Sequence, residues 1–300
     1  MEDKKHVKIS LGTAICIVII FLLVIALILL GCYTYVLKNS ANKTSNTDVA
    51  DASQSTNDNT PKNEVTKPVA DVGTELNVND SIVKSLTDKI DFNTNARASI
   101  YKVGSFNSNN ISNDLILKLG WDSIKDKKQV EGLSPLPDEV VTKKEMAQSI
   151  SNLFGPKIKY TDTSFAIVDI ETFHGYQGLV GDTVNYSNNS YSVELFQGGG
   201  GDCPFIQEQV TKALQYNNKI EIYVKTAFVD TKYVESSDNF DYILYKDFNF
   251  ATETFENQLS KVSGTQKMPE LSSDFNTYVY TFDLDSSSGN YYLSGFNMAK

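Results

Sequence analysis

The chain has 300 residues, 27 of them basic and 37 acidic, for a net charge of −10. That length admits one large domain or two small ones, and the acidic balance repels phosphate backbones, which argues against nucleic-acid binding. Three cysteines, Cys16, Cys32 and Cys203, are too few and too badly placed for a disulfide framework.

Ile9 to Leu37 is a run of twenty-nine residues without a charged side chain. As a helix it measures about 43 Å, against a bilayer core of about 30 Å. Lys4, Lys5 and Lys8 precede it. The positive-inside rule then puts the N-terminus in the cytoplasm and everything after Leu37 outside. The run is too long for a cleaved signal peptide, and no Ala-x-Ala follows it. Leu29-Leu30-Gly31-Cys32 resembles a bacterial lipobox, which offers lipidation of Cys32 as an alternative anchor. The reading is a cytoplasmic tail (1–8), a transmembrane signal-anchor helix (9–37), a disordered linker (38–75) and an extracytoplasmic domain (76–300). The linker is rich in Asn, Thr, Ser and Asp, and from Asn39 to Gly73 it has no aromatic residue, leucine or isoleucine. Such a segment buries too little apolar surface to offset its ordering entropy.

Within the domain, Ile82, Val83, Leu86 and Ile90 follow helical spacing after Asn79 or Asp80 as a cap. A second helix is predicted from about Ser112 to Ile124, with Gly120 as its weak point and Trp121 as a core residue. The third has the clearest ends. Thr142 and Glu145 spell a capping box, Val141 and Met146 a hydrophobic staple, and Gly155-Pro156 a stop.

Beyond Pro156 the pattern alternates. Hairpins are predicted around Ser187-Asn188-Asn189-Ser190, Asn217-Asn218 and Asp285–Asn290, with another strand over Asp241–Phe248. Thr252–Val262 has no clear period and suits a short helix. Three helices followed by an antiparallel meander make the fold class α+β. The element order resembles the NTF2-like roll, which implies one curved sheet around a helix and a cone-shaped cavity. Arg97 is the only arginine among many lysines, and Asn, Ile and Tyr are abundant. This composition resembles that of membrane-tethered extracytoplasmic proteins of low-GC Gram-positive bacteria, a group that implies no particular activity.

His174, Cys203 and Arg97 are the only residues of their types beyond the apolar run. A Cys203–His174 pair could supply a nucleophile and its base, the envelope-enzyme alternative. The inventory is similar to that of sortases, but Arg97 precedes the other two, and Cys203 sits in Gly198-Gly199-Gly200-Gly201-Asp202-Cys203-Pro204. The four glycines lack the Lys and Thr of a phosphate loop and read as a wide connection. Asp283–Gly289 places its glycine one position late for a calcium loop and reads as a polar turn. His174 with Asp169 and Glu171 is too few ligands for a metal. The expectation is a non-catalytic module without metal or cofactor. It is held by the membrane through residues 9–37 and binds an envelope ligand or protein.

Overall fold

A computed structural model describes residues 72–131, 138–167, 183–194, 204–236 and 239–299. All fall within one unit, Lys67–Lys300. Among the described residues no helix is long and apolar enough to cross a membrane, and the run 9–37 lies outside them.

Among the described residues four helices form rather than three: α1 (Ser81–Lys89), α2 (Thr94–Val103), α3 (Asn113–Asp122) and α4 (Lys143–Phe154). The one not predicted is α2. Its cap is Asn93, whose side chain accepts from the Ala96 N–H, and Gly104 ends it at a φ of 74°. The α4 ends form as the sequence dictates. Thr142 and Glu145 make both halves of the capping box, and Gly155 closes the helix at a φ of 88°.

Among the described residues thirteen strands alternate with and follow these helices, all antiparallel. They divide into two sheets, not the single curved sheet that an NTF2-like order implies. The smaller sheet is β3 (Lys128–Val130), β4 (Asp138–Thr142), β7 (Ser190–Val193), β6 (Thr183–Ser187) and β5 (Phe165–Ala166), in that spatial order. Its β6–β7 hairpin turns on Asn188 and Asn189 at φ 50° and 58°. That is the left-handed pair that a two-residue loop requires.

The larger sheet is built on β9 (Lys219–Val234). One edge of β9 pairs with β8 (Phe205–Gln215). Along its other edge β9 changes partner: Lys219 to Thr226 face β12 (Asn276–Asp285), and Phe228 to Val234 face β10 (Asn239–Asn249). The sheet forks there. One branch continues to β13 (Asn290–Met298) and β2 (Phe106–Asn107), the other to β11 (Thr254–Ser263). This corrects the reading of Thr252–Val262 as a helix. As an edge strand, β11 is mostly exposed, and Asn257 sits at a φ of 58°. Neither condition leaves an alternating apolar pattern to read. At the far side β1 (Thr74–Leu76) pairs with the last residues of β8, so Thr74 and Glu75, inside the segment predicted as linker, belong to a strand.

Helix α3 lies between the two sheets. Leu115 and Leu119 face the core of the large sheet, while Ile116, Leu117 and Trp121 face that of the small one. The three leucines and Ile116, almost wholly buried, each contribute about 1.5–3 kcal/mol. A third cluster, including Val229, Leu244 and Phe275, covers the opposite face of the fork. Segment 264–275 is pinned over it by Leu271 N–H donating to Gln209 Oε1 at 2.7 Å.

Candidate functional site

Arg97 lies near the start of α2 and points across to the first residues of β8. Its Nη1 donates to the Ile206 carbonyl at 3.3 Å, and Nη2 to Asp91 Oδ1 at 3.0 Å. Nε is 3.3 Å from Glu208 Oε2 but is not aligned with it, so that contact is an ion pair without a hydrogen bond. The Glu208 side chain is only 8 % exposed. Its Oε1 accepts from Tyr101 at 2.6 Å and from Tyr280 at 2.8 Å. Tyr101 has one proton to give, and the carboxylate takes it. The Thr226 hydroxyl, 2.7 Å away and fully buried, therefore donates to the Tyr101 oxygen. Burial pushes the Tyr101 and Tyr280 hydroxyls well above the ordinary tyrosine range, and the Glu208 charge adds to it. Both tyrosines thus stay neutral donors. The group holds a guanidinium in one orientation.

One open hollow lies in front of that guanidinium and a second adjoins it. One, of about 380 Å³, is lined by Arg97, Lys125, Asp91, Asn93, Phe205 and others. The second, of about 290 Å³, lies among the C-terminal ends of α1, α3 and α4 and includes Lys89, Ser149 and Asn152. Asp91 and Lys125 line both, and the Lys125 Nζ donates to the Asp91 carbonyl at 2.8 Å. Lys89 donates to the carbonyls of Asn152 and Tyr291, and burial holds its ammonium below the ordinary lysine range. The walls are therefore helix ends tied by main-chain hydrogen bonds.

Behind them, Asp122 at the end of α3 accepts from the Asn93 N–H at 2.8 Å and from the Asn93 side-chain amide. Burial raises its carboxyl above the ordinary aspartate value, opposed by the Asn93 N–H and by Lys125, Lys127 and Arg97. A raised native value means that the folded state holds this proton more tightly than the unfolded one. Its contribution to stability is therefore lost as pH rises from the ordinary aspartate range through the native value. Asp122→Asn removes that slope. Urea melts from about pH 3 to pH 7 should show the variant gaining on the wild type as pH rises. A constant difference would mean that Asp122 titrates alike in both states.

Of the residues singled out in sequence, Arg97 is placed and anchors the site. Cys32, Asp169, Glu171, His174, Gly198–Gly201 and Cys203 lie outside the described residues. Asp285 closes a polar hairpin turn, accepting from Ser287 and Ser288, with Gly289 at a φ of 72°. Among the described residues no three of His, Cys, Asp and Glu are grouped to hold a metal ion. Glu208 was missed in sequence, although it falls in step with Ile206 and Val210 on one strand. A charge in an apolar row at period two marks a buried carboxylate. No protein-family model, curated protein or solved structure matches the chain.

Proposed function

We propose that this chain is a membrane-tethered, non-catalytic binding module of the cell envelope, anchored by an uncleaved helix at 9–37 with its domain outside the membrane. The observation that carries the reading is a pair of adjoining open hollows at the helix ends, one of them lined by an arginine held from behind by a buried carboxylate. An arginine that is already oriented lowers the cost of binding. The point where the chain joins the domain supports it. Thr74 pairs with Gln215, whereas Arg97 contacts Ile206, at the other end of the same strand. Nine residues of strand separate the two, about 30 Å, so the hollow that Arg97 lines lies at the end of β8 away from Thr74.

Two measurements on the full-length chain test this reading. Protease added to intact cells should digest the domain together with a known surface protein. Purified chain in detergent should co-sediment saturably with isolated envelope material. A protected domain refutes the topology, and absence of saturable binding refutes the module.

A further inference from the structure

Arg97 has a fixed inner side and an exchangeable outer one. The inner side faces the Ile206 carbonyl and Glu208, whose side chain is 8 % exposed. The outer side faces Asp91, whose side chain is 72 % exposed. A planar guanidinium matches the paired oxygens of carboxylates and phosphates. An exposed ion pair such as Arg97–Asp91 is weak and readily exchanged, because water and salt screen it. Lys125 shares the hollow. Among the described residues its ammonium forms no ion pair, and its hydrogen bond to the Asp91 carbonyl uses one of three N–H donors. Among the described residues Asp91 is the only carboxylate lining this hollow.

We propose that the hollow binds an anionic group, a carboxylate or a phosphate. The group replaces the Asp91 side chain on the outer side of Arg97 and takes Lys125 as its second contact. Asp91 then acts as an internal stand-in that occupies the arginine until ligand displaces it. This inference rests on the reading of the hollows as a binding site and supplies the chemistry of what they bind.

Having one arginine makes the test direct. Full-length chain in detergent micelles, labelled with nitrogen-15 at arginine alone, gives a single Nε–H signal. It is titrated at constant ionic strength with acetate, with inorganic phosphate and with neutral N-acetylglucosamine. A saturable shift with an anion and none with the sugar is the expected result; whichever anion binds tighter assigns the group as carboxylate or phosphate. Asp91→Asn removes the competitor and should tighten the apparent Kd about two- to fivefold, and Lys125→Gln should weaken it by a similar factor. Both variants leave the contact with Glu208 in place. Absence of a saturable anion shift overturns the proposal, as does an Asp91→Asn variant that binds no tighter. If the sugar alone moves the signal, or envelope co-sedimentation persists without any anion shift, the anion proposal falls and the binding module stands. If co-sedimentation fails as well, both fall.

Discussion

Replacing Glu208 by alanine is expected to cost about 3–5 kcal/mol of stability, the penalty for breaking a buried ion pair from one side. The carboxylate is 8 % exposed, and three side chains depend on it: Arg97, Tyr101 and Tyr280. Without it, the Tyr280 hydroxyl loses the carboxylate to which it donates, and among the described residues the guanidinium keeps the Ile206 carbonyl and the exposed Asp91. Glu208→Gln keeps an acceptor for the tyrosines but turns a donor or a neutral oxygen toward Arg97. Its expected loss is smaller, about 1–3 kcal/mol. Urea unfolding of the single and double variants separates the terms. Glu208→Leu combined with Arg97→Met should lose less than the sum of its parts, because the second change removes the charge that the first one strands. A loss below about 1 kcal/mol for Glu208→Ala would show that the group is wetter than the structure has it.

Gly120→Ala poses the opposite question, since helix propensity alone favours alanine by about 1 kcal/mol. Gly120 lies in α3 where α4 crosses it. A methyl group there would stand 2.4 Å from Ile150 Cγ1, and Ile150 is fully buried. The same crossing is closed by Ser149, whose hydroxyl donates to the Gly120 carbonyl at 2.7 Å. A β-branched side chain on a helix has one comfortable rotamer, so Ile150 cannot swing away. Overpacking of this kind costs about 1–3 kcal/mol. The expected net result is a loss of about 0–2 kcal/mol once propensity is subtracted. Truncating the obstacle reverses the sign of the interaction: Gly120→Ala should be milder in an Ile150→Ala background, where the new methyl fills space. A stabilised Gly120→Ala single variant would mean that the helices do not approach this closely.

The glycine also shows what a sequence hides. Read along the chain, Gly120 weakens a helix; read across it, the same glycine admits a second helix. Arg97 was conspicuous as the only one of its kind, yet nothing near it in sequence names its partners, because Ile206 is 109 residues away. Helix α2 went unread since Asn93-Thr94-Asn95 looks like a turn, and its buried residues include small or polar ones such as Ala96 and Ser99. The hollows have no sequence signature at all: their described walls come from the ends of α1, α3 and α4 and the starts of α2 and β8.

The sequence by itself determined what is settled within a few residues. The α4 cap forms because Thr142 and Glu145 are three apart and satisfy each other's backbone. The β6–β7 turn forms because two adjacent asparagines tolerate positive φ. The inward row of β9 is apolar because one face of that strand meets the helices, as Ile220, Ile222 and Val224 show. Tertiary structure decided everything that depends on which distant edge a strand finds. Only the fork makes β9 leave β12 for β10 beyond Thr226, only pairing with β10 makes β11 a strand, and only the approach of β8 to α2 places Glu208 behind Arg97. The physical reason is common to all three. A cap or a turn satisfies its hydrogen bonds locally, whereas a strand edge or a buried charge must find its partner elsewhere in the fold.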